Sequence, residues 1–330
     1  MGDRPPVPMN QGTPPNEGET IQVVTPEGAV AAPDAGAARL MRIATVTAVA
    51  VASTLVALKF AAWLLTDSVS LLSTLIDSLL DVAASLVNLV AVRHALEPAD
   101  REHRFGHGKA ESLAGLAQAA FIAGSAAFLL LEAGERFFNP QEIARTELGY
   151  AVMVISIVLT VLLVGFQRYV VRRTGSIAVG ADSVHYQMDV LVNLGVIASL
   201  AVVSNFGLLW FDPLVALIIA GYILYGAWHL GEDALQVLMD RELPDDERAA
   251  IRAIAMGHAD VRNVHDLRTR KSGLQIFVQM HLEMDGAISL YRAHVIADEV
   301  EALIVEAYPT AEVIVHQDPE GIDEDVPVFR

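Results

Sequence analysis

Asp77 and Asp81 stand four residues apart in one long apolar segment, and His185 and Asp189 stand four apart in another. On an α-helix that spacing places both side chains of a pair on one face, about one turn apart. Carboxylates and neutral imidazoles are metal ligands, whereas an ionisable side chain at the centre of a bilayer costs about 2.5 to 3.5 kcal/mol on insertion scales. A bound divalent cation offsets that cost. Two such faces turned toward each other would make a cage of four oxygen and nitrogen ligands, suited to zinc or another first-row ion. A plain interhelical polar pair is the alternative, but Lys59 is the one intramembrane cation near the first pair, and one lysine cannot neutralise two carboxylates. Around the second pair, ADSVHYQMDVLVN adds Asp182 and Asn193 to the same face. Asp182 reads as a residue that orients a ligand or stands at the entrance.

Other polar clusters lie outside the apolar segments. The loop EPADREHRFGHGKAES holds Asp100, His103 and His107, with Gly106 and Gly108 letting the backbone turn; it could carry a second metal or be a solvated loop. Beyond Asp240, alternation along a strand would put His316 and Asp318 on one face, and His265 and His281 fall on neighbouring predicted strands. With His294 these could converge on a small metal cluster, or be scattered polar residues. His258 reads as a surface residue, and His94 and His229, near helix ends, as packing or solvent contacts. Lys109 and Asp240 flank the membrane surface and could pair, although exposed ion pairs are often worth less than about 1 kcal/mol.

These residues need elements to hold them. Six windows satisfy the roughly 20 apolar residues that a spanning helix needs: about 41–65, 70–94, 112–137, 148–171, 178–204 and 210–232. The short connections predict that sequence neighbours pack as antiparallel pairs. Arg39, Arg42, Arg93, Arg101, Arg104, Lys109, Arg168, Arg172 and Arg173 fall on one side, against Arg136 and Arg145 on the other, in a loop with Glu132, Glu135, Glu142 and Glu147. That bias puts both termini in the cytoplasm. Residues 1–38, rich in Pro, Gly and acid, read as a disordered tail. A six-helix membrane domain over 39–240 follows, then an α+β unit over 241–320 in the order αββαβ, with a turn at Ser272 and Gly273, and a tail over 321–330. Such a unit is small for independent stability, and pairing with a second copy would bury its apolar surface.

Composition agrees with a membrane half joined to an acidic soluble half: 330 residues, 53% hydrophobic, net charge -18, mean hydropathy +0.43. Nothing resembles the basic stripe of a nucleic-acid binder. With no cysteine, disulfides and thiolate metal sites are excluded, which argues against copper(I) as cargo.

The strings DSLLD, PADREHRFGHGKAES, HYQMD, HDLRTR, QMHLEM, AHVIAD and VIVHQDP together resemble the cation diffusion facilitator family, over about residues 40–320, and within it the bacterial zinc and iron(II) exporters. The resemblance implies a homodimer of six-helix subunits in the bacterial inner membrane, with a cytoplasmic metallochaperone-like domain, exchanging a divalent metal for protons. It implies a transport site at Asp77, Asp81, His185 and Asp189 and a loop site at Asp100, His103 and His107. It further implies a cytoplasmic site at His265, His281, His294, His316 and Asp318 supported by Gln317, and a charge interlock of Lys109 with Asp240. Arg101 stands where the resemblance to those exporters would place an acid, which would weaken cation attraction at the loop site.

A metal and protons would compete for one ligand set, which couples their movements. The mixed ligand set favours Zn2+ as cargo, with Fe2+ and Cd2+ close behind and manganese better served by oxygen alone. A cation channel and a membrane metal sensor are the alternatives in class. An intramembrane hydrolase would need an open coordination position and a general base, and no HExxH string is present.

Overall fold

Apolar length dictates the first two thirds of the chain. The computed structural model describes residues 35–66, 69–138, 147–208 and 210–321. Six helices open it: α1 (Ala35–Thr66), α2 (Val69–Ala95), α3 (Ala110–Phe138), α4 (Glu147–Thr174), α5 (Ile177–Phe206) and α6 (Phe211–Leu238). Each contains a stretch long and apolar enough to cross a membrane. Their outward faces carry large apolar side chains such as Leu65, Phe128, Leu162, Ile218 and Trp228, a surface that lipid accepts. The first helix starts at Ala35, ahead of the boundary expected at residue 39, because AGAARL is built mainly of strong helix formers. The rest of the expected tail, the loop residues Glu142 and Arg145, and the chain from residue 322 lie outside the described residues.

Sequence neighbours do pair where α1 meets α2 and α4 meets α5, but the most extensive contact joins α3 to α6. Small residues explain it. A Cβ built on Gly231 of α6 would lie 3.4 Å from the Cβ of Ala119, and one on Gly115 of α3 would lie 3.4 Å from that of Ala234, so the two backbones approach closely. The start of α5 is fixed by Ser176, whose hydroxyl accepts from the Val179 N–H and donates to the buried Glu111 at 2.5 Å.

The remainder is α7 (Asp245–Met256), β1 (Asn263–Ser272), β2 (Gln275–Met284), α8 (Leu290–Ala307) and β3 (Ala311–Pro319), the αββαβ order that alternation predicts. The β1–β2 turn falls at Gly273 and Leu274, one residue later than expected, with Gly273 at φ 60°. The sheet runs β1-β2-β3, antiparallel then parallel. Val264, Val278, Met280 and Leu282 pack with Ile251, Ile296, Val300 and Ile304 to make one core.

At Gly108 the loop before α3 meets this sheet backbone to backbone. A Cβ on Gly108 would fall 2.3 Å from the Ser272 carbonyl oxygen, and one on Gly273 would fall 2.9 Å from the Gly108 Cα. Beside that contact the Arg270 guanidinium lies 4.8 Å from the Phe105 ring and 4.6 Å from the Phe277 ring. Lys109 pairs with Asp240 at 2.9 Å, and Arg270 reaches the same carboxylate at 3.4 Å. Asp240 follows α6 at φ 58°, a left-handed position where glycine is usual. Partial burial opposes its ionisation, but the Lys109 hydrogen bond and the charges of Lys109 and Arg270 outweigh this and hold the carboxyl below its ordinary range.

Candidate metal centres

The membrane group is built from two helices. His185 and Asp189 project from α5, and Asp81 meets them from α2. The His185 Nε2 lies 3.1 Å from an Asp81 oxygen and 3.8 Å from an Asp189 oxygen, and one ligand atom from each of the three falls within 4.8 Å of the others. A tetrahedral zinc with bonds of about 2.0–2.2 Å separates its ligand atoms by about 3.3–3.6 Å, so small adjustments would seat an ion. Asp77, the fourth residue expected here, is exposed one turn earlier on α2 and outside this group. Lys59 donates to the Ser78 hydroxyl at 2.6 Å and the Thr74 carbonyl at 3.2 Å.

Behind the group sits Asp182, buried and therefore not at an entrance. Gln167 donates to one of its oxygens at 2.6 Å, and Gln118 and Ser85 to the other at 3.2 and 3.5 Å. The Ser85 hydroxyl lies 2.7 Å from that of Tyr186. One carboxylate thereby ties α2, α3, α4 and α5 around the ligand-bearing turn. Asn193, on the same face, donates to the Asp189 carbonyl instead.

In the soluble unit, sheet register does the assembling. His265 is the register partner of His281, which is the partner of His316, so three imidazoles form a row across three strands with ring centroids 5.0 and 4.6 Å apart. The buried Asp318 touches all three: 2.8 Å to His281, 3.2 Å to His316 and 3.6 Å to His265. His265, His281 and Asp318 form the tight set. His294 lies apart on α8, 3.6 Å from Asp298. Two acids that the sequence did not suggest stand close. Glu283 lies 3.0 Å from His265, and Asp266 lies 3.8 Å from His281. Asp266 sits at φ 44° where the β1–β2 register shifts, and such a bulge re-aims a side chain; glutamate two residues after His281 follows from strand alternation.

The loop before α3 brings together Asp100, His103 and His107. Asp100 accepts from the backbone N–H groups of His103 and Glu102 at 2.6 and 2.8 Å. The His103 N–H, more than any other influence, holds its carboxyl below the ordinary range. His103 and His107 place a ring nitrogen 3.4 and 3.5 Å from it. His94 does more than pack or meet solvent. Its ring stands 4.5 Å from that of His107, and its Nδ1 lies 2.9 Å from Glu97. The cause is tertiary, because the loop leaving α2 turns back over the helix end. His229 meets Tyr225, as packing predicts, and His258 meets Glu299 at 2.9 Å.

Comparison with known proteins gives matches along nearly the whole described chain. The family model described as cation efflux transmembrane domain matches residues 45–239, and the one described as cation efflux protein, cytoplasmic domain, matches 243–320. The chain is 52% identical over 282 residues to the cation-efflux pump FieF of Pectobacterium carotovorum, covering 86% of this chain and 94% of that one. It is 49% identical over 289 residues to the cation-efflux pump FieF of Klebsiella pneumoniae, with the same coverages. A crystal structure of the cytosolic domain of a cation diffusion facilitator family protein is 28% identical and covers 23% of this chain and 93% of its own, with a TM-score of 0.22.

Proposed function

From the premise that this chain belongs to the cation efflux, or cation diffusion facilitator, family, we propose that it exports a divalent metal ion, zinc above all, in exchange for protons. As a member of that family it is a multi-pass membrane transporter and not an enzyme. In this reading it works as a homodimer in the bacterial inner membrane, with both termini cytoplasmic, and alternates between inward- and outward-facing states.

One observation carries the reading: the single nitrogen His185 Nε2 faces both Asp81 and Asp189 inside the membrane helices, at 3.1 and 3.8 Å. An ion needs that nitrogen unprotonated and both carboxylates ionised. The proton and the ion therefore contend for one point between three side chains. Facing the more acidic side, the set takes protons and releases the ion; facing the cytoplasm, it returns the protons and reloads. Asp77, a turn away on the same face of α2, completes the set when the ion enters. The row of His265, His281 and His316 over Asp318 holds a further ion that stabilises the paired cytoplasmic domains, and His294 of α8 joins it when that ion binds. Asp100, His103 and His107 capture ions at the membrane surface.

The test is zinc movement into vesicles containing the purified protein, with internal pH followed at the same time and iron(II), cadmium and manganese compared. Zinc should enter as protons leave, and both flows should stop in Asp81→Ala and His185→Ala while the protein remains folded. Full transport in both variants would overturn the assignment. Metal flux that continues unchanged across a pH series would make the protein a channel, and binding without flux would make it a sensor.

A further inference from the structure

We propose that His94, Glu97 and His107 hold a divalent metal ion at a second position beside the loop triad, and that the shared His107 allows only one of the two positions to be filled at a time. One ligand atom from each of the three residues lies within 4.8 Å of the others. The His94 Nδ1 and a Glu97 oxygen are already 2.9 Å apart, close to the separation of about 3.3–3.6 Å that a tetrahedral ion imposes. A metal would stand where a proton now bridges them.

An independent observation comes from His107. Its side chain is 5% exposed, its Nε2 faces Asp100 at 3.5 Å, and its Nδ1 is buried with no hydrogen-bond partner among the described residues. A buried polar atom left unsatisfied destabilises the fold. That nitrogen has a use if an ion binds it. The site also lies at the C-terminal end of α2, where the helix dipole favours positive charge. A cavity of about 300 Å³, lined by His94, His103 and His107, leaves room for water as a fourth ligand. Arg270 and Lys109 line the same cavity, but both charges are engaged by Asp240, and that of Arg270 also by the faces of Phe105 and Phe277. His94 and Glu97 are about half exposed, at 53% and 59%, and His103 and Asp100 are equally open at 54% and 52%, so both positions meet the solvent and the buried His107 can pass the ion between them.

The test uses Zn2+ alone and equilibrium dialysis of the full-length protein in detergent, which does not depend on transport. Asp100→Ala with His103→Ala removes the triad and should leave the zinc count per chain equal to that of the native protein, since the ion falls back on His94, Glu97 and His107. Adding His94→Ala and Glu97→Gln should remove one zinc per chain. Equal counts for the double and quadruple variants would overturn the position, and a native count one higher than the double variant would overturn the exclusivity. As a milder check, His94→Gln in the double variant should weaken this zinc at least about tenfold; unchanged affinity there would equally overturn the proposal.

Discussion

The histidine and carboxylate groups of the sheet and of the membrane helices are assembled by different physics. In the cytoplasmic sheet, His265, His281 and His316 are register partners on adjacent strands, so backbone hydrogen bonds fix their spacing before any ion arrives. In the membrane, Asp81 comes from α2 and His185 and Asp189 from α5, and two helices have no such ladder between them. Side chains reach across instead, Ser85 of α2 to Asp182 and Tyr186 of α5 and Asn88 to the Ala178 carbonyl. A group locked by register suits an ion that stays. A group held across a helix interface can open and close as the helices shift, which suits an ion that passes.

The sharpest way to break this contrast is to remove one imidazole from each group. His185→Ala should reduce zinc flux at least about 100-fold. His281→Ala should abolish zinc binding at the sheet yet leave measurable flux in vesicles. Equal loss of flux in both would mean that the sheet group is part of the pathway and the contrast is false.

Gly108→Ala probes the link between the two regions. Its Cβ has no space against the Ser272 carbonyl, and overpacking of that kind costs about 1–3 kcal/mol. Zinc binding at the sheet should persist while flux falls several-fold, and binding and flux assays on the same preparation compare the two directly. Asp182→Asn tests what holds the membrane group in place. It removes the charge accepting from Gln118 and Gln167, and the melting temperature in detergent should drop by an amount equivalent to about 1–3 kcal/mol. The Oε1 atoms of those glutamines have no hydrogen-bond partner among the described residues and can accept from the new amide after flipping, which keeps the loss at the low end of that range.

Asp240→Asn should have the smallest effect, less than about 1 kcal/mol, because the Lys109 pair is more than one-third exposed on both sides. The sign with pH follows from the lowered carboxyl of Asp240. Its contribution is complete above the unfolded value of about 3.9 and is lost as pH falls through the lower folded value. Melting curves of the native protein and the variant should therefore differ at neutral pH and converge only in strong acid.

The sequence makes the helices legible because an apolar run of membrane length permits few other outcomes, and the strands because their apolar positions alternate. The four-residue spacing of His185 and Asp189 is likewise a local property that any helix expresses. What escapes is whatever depends on distant contact. Asp182 draws its donors from positions 85, 118 and 167, and nothing local names them. Asp266 reaches the sheet group only because of the register shift in β1. His94 and Glu97 gain their significance from a loop that doubles back, and the exposure of Asp77 depends on how far α2 is turned about its own axis.

Gly108 and Gly273 touch backbone to backbone. With no side chain to yield between them, the sheet is hindered from sliding along the helix ends but can still tip about this point. Sterically, tilting about this contact is opposed less than sliding across it. If the sheet tips there as metal is exchanged, labels attached progressively farther from the contact should sweep progressively wider arcs, whereas equal displacements at every label would mean that the sheet moves as a whole.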